Sequence, residues 1–308
     1  MNKLKLLFLF LMATSPVTWS EMKGGMMEMP HQNSSEDITK SGDNNFKKLL
    51  KISRGGQLYD NWWKATETTI KPKEDHPLWN KQSTNKRSGY DTFRCKECHG
   101  WDYQGKNGAY RKGSHYTGFK GILQRSSELS LKELEGALKG ELNKDHDFTE
   151  YLGLDNITDL AYFMKKGLIN TNKFIGKEGL AIGGNSSSGS TLFKENCAHM
   201  CHGKAGLAIN FGGGNKSEFV ATVANKNPWE FIHKVRNGQP GTRMPSAIIN
   251  KWSDNDILNL LVFAQALPND ASEIGWWESL WGEGSGYNGM MQGNKYLGGG
   301  RGFGPKTK

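Results

Sequence analysis

The sequence is poor in cysteine and in large apolar residues. Its four cysteines among 308 residues are too few for a disulfide scaffold. Apolar residues make up 36% of the chain, below the roughly 45 to 50% of ordinary globular proteins, so a single large hydrophobic core is not expected. Beyond residue 20 no stretch reaches the roughly 20 apolar residues that a membrane-spanning helix needs. The length allows two modest domains.

The charge of the chain is basic, with a formal net charge of +9 at pH 7. The lysines are scattered along the sequence and do not gather into a basic stripe. Nucleic acid is therefore not an expected partner. Docking to an acidic protein surface is the better use of this charge.

The start of the chain has the layout of a secretory signal peptide over residues 1–20. Lys3 and Lys5 precede an apolar run at 6–12, and small residues follow. The apolar run is too short for a membrane anchor. We therefore expect export, with no transmembrane anchor after the signal peptide is cleaved.

Residues 21–45 are polar and are expected to form a disordered leader. Thioethers and an imidazole cluster within it, and this is the ligand set that suits Cu(I). The alternatives are a copper site or a methionine-rich leader with no binding role. The residues concerned are Met22, Met26, Met27, Met29 and His31.

The most informative motif is CKECH, with Cys95, Cys98 and His99. A CxxCH string is the attachment signature of a c-type haem, in which the two thiols bind the porphyrin and the adjacent imidazole binds the iron. A disulfide or half of a zinc site is the structural alternative, but a CxxC zinc site needs a second ligand pair. A thioredoxin-like redox pair would need a βαβ context, which this sequence lacks.

A second cysteine pair occurs in CAHMCH, where Cys197, Cys201 and His202 form a CxxxCH string. The extra residue between the thiols makes this signal weaker. Four potential ligands within six residues are too crowded for a tetrahedral zinc site, and a disulfide would leave His202 without a role.

The residues after this motif resemble the class I cytochrome c fold. Met244 lies in the loop GTRMPS, and the helical pattern SDNDILNLLVFAQAL follows with a capping box from Ser253 to Asp256. The order of motif, methionine loop and closing helix is that of this fold. The resemblance implies that Met244 is the second axial ligand of the iron.

Aligning the two parts of the chain indicates an internal repeat. The pattern LDNITDLAYFMKKGL from Leu154 is a second closing helix, and His146 lies near the position that corresponds to Met244. His146 is therefore the candidate distal ligand of the first haem, with His115 as the alternative. Met164 lies inside the closing helix, where core packing is the better interpretation.

The upstream residues also correspond, since the spacing GxxLF at Gly189 recurs as GxxLY at Gly55. The first domain then has an insertion at 64–94 before its haem motif, and His76 in it is expected to be structural or at the surface. His233 is expected to face solvent or to bind a propionate.

The predicted organisation is a first cytochrome domain at 46–182, a flexible linker at 183–190, a second cytochrome domain at 191–270 and a Gly- and Trp-rich tail at 271–308.

Together, the stretches around CKECH and GTRMPS resemble exported dihaem cytochromes c, a group that includes relatives of thiosulfate dehydrogenase. The resemblance implies an all-α fold of two tandem class I cytochrome c domains, two haem c groups, a periplasmic location, and His99 and His202 as proximal ligands. It implies electron transfer between redox partner proteins. The thiosulfate-oxidising relatives use a further cysteine as a ligand, and this chain has no fifth cysteine, so that activity is not expected. The alternative is a haem-dependent oxidoreductase, of the peroxidase or sulfur-compound type, with one displaceable ligand.

Overall fold

The structure is a computed structural model that describes residues 35–213 and 216–281, with side chains from residue 44 onwards except those of 200 and 279–281. The predicted signal peptide, the proposed copper ligands and the tail beyond 281 lie outside the described residues. The chain divides into two compact units, residues 1–41 and 42–308. Within the described residues, helices are the regular structure and no strand occurs, which confirms the all-α expectation.

The first half of the larger unit, residues 42–182, contains the helices that surround the CKECH motif. The first helix begins at Ser35, well before Phe46, so the expectation of disorder up to residue 45 is wrong for its last part. Its backbone leaves the helical region at Asn61 and kinks there. The helices are α1 (Ser35–Ala65), α2 (Cys95–His99), α3 (Leu123–Glu128), α4 (Leu131–Leu138) and α5 (Leu154–Lys166).

The second half, residues 183–281, begins with a helix where the sequence predicted a flexible linker. The side chain of Asn185 accepts a hydrogen bond from the Ser188 N–H and caps this helix, which makes the Ser- and Gly-rich run helical. The helices are α6 (Ser186–Phe193), a π-helix (Lys194–His202), α7 (Val220–Lys226), α8 (Pro228–Asn237), α9 (Asp254–Gln265) and α10 (Ile274–Trp281). The predicted capping box of α9, from Ser253 to Asp256, is confirmed.

Each half has its own hydrophobic cluster. The first is built on α1, α4 and α5 and includes Trp62 and Phe163. The second is built on α6 to α10, includes Phe263 and Trp277, and also takes in Phe174 and Ile175 from the end of the first half. Met164 packs against the first cluster, as expected. Among the described helices, none has the length and apolar character needed to cross a membrane.

The same helix crossing recurs in both halves, at a glycine. A Cβ atom at Gly55 of α1 would collide with the Asp159 carbonyl and the Phe163 side chain of α5. A Cβ atom at Gly189 of α6 would collide in the same way with Asn259 and Phe263 of α9. In each half the first helix therefore crosses the closing helix at backbone contact, and the cysteine motif follows at once in the second half and after the insertion in the first.

Candidate functional site

The four cysteines are present as free thiols and not as disulfides. Burial raises the pKa of Cys95 and of Cys197 to about 12 and also raises that of Cys98. Burial therefore favours the neutral thiol over the thiolate at these three positions. In the described part of the chain, no group of three or more His, Cys, Asp or Glu side chains is arranged to hold a metal ion. The disulfide and zinc interpretations therefore find no support in the geometry.

The ring of His99 is held in the tautomer that a metal ligand needs. Its Nδ1 lies 2.7 Å from the carbonyl oxygen of Lys120. A carbonyl oxygen only accepts hydrogen bonds, so Nδ1 carries the proton and Nε2 keeps a free lone pair. Burial, together with the neighbouring His146, lowers the pKa of His99 to about 4, so the ring is neutral at pH 7.

His146, in the short 3-10 helix Lys144–His146, is held in the same way. Its Nδ1 lies 2.9 Å from the carbonyl oxygen of Ala137, which again leaves Nε2 with a lone pair. The ring centroids of His99 and His146 are 6.4 Å apart. Two imidazoles on opposite sides of one metal, each bonded at about 2 Å, have centroids roughly 6 Å apart. The spacing of this histidine pair therefore fits a single iron between the rings.

A third histidine, His76, lies beside this pair, and its ring centroid is 6.2 Å from that of His146. It is buried, so the structural interpretation holds and the surface one does not. Its Nδ1 accepts a hydrogen bond from the Leu78 N–H, which places the ring proton on Nε2. His76 therefore offers no lone pair to a metal. Burial, with His146 and His99 nearby, lowers its pKa to about 4.

The alternative distal ligand, His115, is positioned differently. Its ring stacks on Tyr110 with centroids 4.8 Å apart and an interplanar angle of 15°. Its Nδ1 is buried without a hydrogen-bond partner. Among the rings of the described residues, that of His146 lies beside His99, whereas the ring of His115 stacks on Tyr110. The position of the rings therefore favours His146 over His115 as the partner of His99.

The second motif accommodates its extra residue in a π-helical turn. The N–H of Gly203 bonds to the carbonyl of Ala198, five residues back, whereas the N–H of Gly100 bonds to Lys96, four residues back. Both glycines have a positive φ, 76° at Gly100 and 70° at Gly203, which favours glycine. Because the wider turn absorbs one residue, both motifs end in the same backbone geometry.

The backbone after each motif continues the correspondence. Six residues beyond each motif histidine an N–H returns to the histidine carbonyl, at 2.8 Å from Gly105 to His99 and at 3.0 Å from Ala208 to His202. The two histidines are therefore placed by the same frame of hydrogen bonds.

The ring of His202 lies between Phe193 and Phe211, with centroids 6.4 and 5.7 Å away. Burial lowers its pKa, and its Nδ1 is buried without a partner. The ring of His202 therefore lacks the carbonyl partner that fixes the tautomer of His99. Met244 is half-buried in the loop between α8 and α9 and packs against the second hydrophobic cluster. Along the chain Met244 comes after α8 and before α9, and His146 comes after α4 and before α5 in the same way.

Two buried polar features were not found from the sequence. Glu97, inside the CKECH motif, is fully buried and forms ion pairs with Lys96 and Arg87. Although burial opposes its ionisation, these two partners hold its pKa below the usual value. His233, expected to face solvent or bind a propionate, is only 1% exposed and contacts the first half. No local pattern in the sequence distinguishes either residue from a surface residue.

The comparisons agree with this geometry in the second half. Residues 184–263 match the family model described as cytochrome C oxidase, cbb3-type, subunit III. This stretch is therefore a cytochrome c domain, which implies covalently bound haem c and supports a role in electron transfer. No curated protein and no solved structure matches the chain.

Proposed function

We propose that the protein is an exported dihaem c-type cytochrome that carries single electrons between redox partner proteins. The observation that carries the proposal is the pairing of His99 and His146, because it supplies a second iron site outside the matched cytochrome c domain. The repeated glycine crossing and the repeated backbone frame after each motif support two tandem class I cytochrome c domains.

The proposed first site would hold its haem through Cys95 and Cys98 as attachment thiols and through His99 and His146 as iron-binding side chains. Each ring directs its Nδ1 to a carbonyl oxygen, which leaves Nε2 for the iron. The carbonyl oxygens of Lys120, in a loop, and of Ala137, in α4, fix these rings, so the site is organised by the protein fold.

The proposed second site would hold its haem through Cys197 and Cys201 as attachment thiols and through His202 and Met244 as iron-binding side chains. The matched cytochrome c domain contains all four of these residues. The π-helical turn keeps His202 in the same frame as His99, which supports attachment despite the CxxxCH spacing.

When bound, each haem supplies a one-electron couple between ferric and ferrous iron. The ligands of this chain set the two potentials apart. The Met244 thioether favours ferrous iron and raises the potential of the second site, whereas the His146 imidazole lowers that of the first. Electrons are therefore proposed to pass from the first site to the second, and the scattered lysines favour an acidic docking partner.

The primary test is the intact mass of the mature exported protein together with a pyridine haemochrome spectrum. We expect a mass increase of two haems and cleavage near residue 20. Electron paramagnetic resonance of the oxidised protein should show one His/His and one His/Met low-spin signal, and His146→Ala should remove only the first. A mature chain with a single haem contradicts the proposal.

A second candidate function is an oxidoreductase with a displaceable ligand at the second site. Two observations favour it: Cys201 is exposed, and Met244 is only half-buried. Such an enzyme would bind carbon monoxide readily in the reduced native state, whereas a pure electron carrier would not. Copper binding by the leader is a separate proposal, and deletion of residues 22–31 should abolish it.

A further inference from the structure

His233 of α8 projects from the second half into an aromatic socket of the first half. Its ring is almost fully buried. Four aromatic rings of the first half surround it, with centroids between 5.0 and 5.9 Å away. These rings belong to Tyr59, Trp101, Tyr103 and Phe163.

Both ring nitrogens of His233 bond to the first half. Nε2 lies 2.9 Å from the carbonyl oxygen of Gly56, and Nδ1 lies 2.8 Å from the hydroxyl oxygen of Tyr103. Because the carbonyl only accepts, Nε2 carries the proton and Nδ1 accepts from the Tyr103 O–H. Burial lowers the pKa of His233 to about 4, so this neutral form persists at pH 7.

Tyr103 adopts an unfavourable backbone conformation to make this contact. Its φ is 63°, in the left-handed region that favours glycine. The Tyr103 N–H bonds to the carbonyl of Gly100, the glycine that follows the first motif. In the second half the Gly206 N–H bonds in the same way to Gly203, so Gly206 is the corresponding residue, and its φ is 73°. A strained non-glycine residue persists where the surrounding structure requires its side chain. Gly206 has no side chain, whereas the Tyr103 ring packs in the first hydrophobic cluster and its hydroxyl bonds to His233 of the other half.

The interface continues on both sides of this contact. Asp60 of α1 is buried and pairs with Arg94 at 2.6 Å and with Lys234 of the second half at 2.8 Å. Ser53 Oγ donates to the carbonyl of Asn237 at 2.8 Å. Polar groups buried in this way are costly to separate from their partners.

We infer that Tyr103 and His233 are positioning residues that lock the two halves into one rigid body and thereby fix the separation of the two proposed haems. Relative motion is the ordinary expectation for adjacent domains in one chain. Here a bonded histidine inside the opposite half opposes that motion. The part concerning haem separation rests on the proposed function, whereas the mechanical lock does not.

The test compares Tyr103→Phe with Tyr59→Phe in the full-length mature protein. Each change removes one buried hydroxyl from the first half. The Tyr103 hydroxyl bonds across the interface to His233, whereas the Tyr59 hydroxyl donates to Gly100 within its own half. The two variants therefore differ in whether the lost bond joins the halves. His233→Phe is the stronger variant, because it keeps a ring in the socket and removes both bonds.

The first measurement is amide hydrogen exchange, resolved by mass spectrometry at α1 and α8. We expect Tyr103→Phe to lower the protection of both helices together by about tenfold. Tyr59→Phe should leave the protection of α8 unchanged. Equal effects of the two variants on α8, or an effect of Tyr103→Phe on α1 alone, would overturn the lock.

The second measurement is the rate of electron equilibration between the haems after rapid photoreduction. We expect His233→Phe to change this rate at least several-fold, while the spectrum of each haem keeps its ligand signature. An unchanged rate in a folded variant overturns the positioning role. The haem count of the same samples separates the two proposals: a single haem refutes the proposed function, while hydrogen exchange still decides the lock.

Discussion

The two halves of the molecule build the same backbone frame from different residues. The first motif is an α-helical CKECH and the second is a π-helical turn around CAHMCH, yet both end in a glycine with positive φ and return an N–H to the histidine carbonyl. The difference teaches that the helix type adapts to the spacing of the cysteines. What is preserved is the position of the histidine relative to the glycine that follows it.

The halves also differ where they meet. The first half has Tyr103 where the second has Gly206, and only the tyrosine reaches across the interface. The first half also contains the insertion with His76, which has no counterpart in the second half. These differences between the halves lie at positions that leave the hydrogen bonds after each motif unchanged.

The largest effect is expected from substitutions of Gly55 and Gly189, the glycines at which the helices of each half cross. Gly55→Ala and Gly189→Ala should each lower the free energy of unfolding by about 3 kcal/mol or more, because Cβ would collide with backbone of the closing helix. Gly153→Ala is the control, since its Cβ meets nothing within 4 Å. Denaturant unfolding of the three variants measures this. A small effect at Gly189 alone would show that the halves do not share the crossing.

The next effect concerns His233, which the other half keeps neutral. Its folded pKa of about 4 lies below the unfolded value of about 6.5, so the unfolded state binds more protons between these pH values. Stability from this residue is fully present above pH 6.5 and is lost as pH falls to about 4, by up to about 3 kcal/mol.

The measurement is the free energy of unfolding at several pH values for the wild type and His233→Phe. The difference between the two proteins should shrink as pH falls through this window. The control is Met164→Leu, which removes no titratable group and should keep the wild-type pH dependence. A pH dependence that is identical in His233→Phe and the wild type would contradict the neutral bridge.

A third prediction concerns a variant in which both proposed iron sites have one histidine and one methionine ligand. His146→Met should raise the potential of the first haem by on the order of 100 mV and leave the second unchanged, because a thioether replaces an imidazole. Spectroelectrochemical titration should then show two nearly overlapping transitions. Met164→Leu is the matched control in the same half, since Met164 packs in the core. An unchanged first potential in a folded His146→Met protein would remove His146 as a ligand.

The smallest effect is expected from a variant whose second motif has the same cysteine spacing as the first. Deleting the exposed His199 changes CAHMCH to CAMCH and replaces the π-turn by an α-turn. We expect two haems to remain attached, with a stability change of about 1 kcal/mol or less, because the flanking frame accepts either turn. Intact mass and thermal unfolding measure the result. Loss of the second haem would show that the extra residue is required.

Local patterns were sufficient to predict part of this molecule. The α9 capping box followed from Ser253 and Asp256 and is confirmed. The assignment of the motif residues from their spacing, and of His146 from its place before the closing helix, remains a prediction. Two expectations were wrong because they depend on tertiary contacts. The Ser- and Gly-rich run became α6 through the Asn185 cap and the packing of Gly189, and His233 is buried by residues far away in the chain.

The insertion at 64–94 has a small consequence for chain entropy. It lengthens the loop closed by the crossing of α1 and α5 to about one and a half times that closed by α6 and α9. Since each doubling of a loop costs only about 0.6 kcal/mol, the extra length costs about 0.4 kcal/mol. Loop length therefore imposes almost no constraint on this segment. What constrains it is the burial of His76 beside His146, the burial of Trp79 and Phe93, and the ion pair of Arg87 with Glu97, so changes of length should be tolerated only away from these residues.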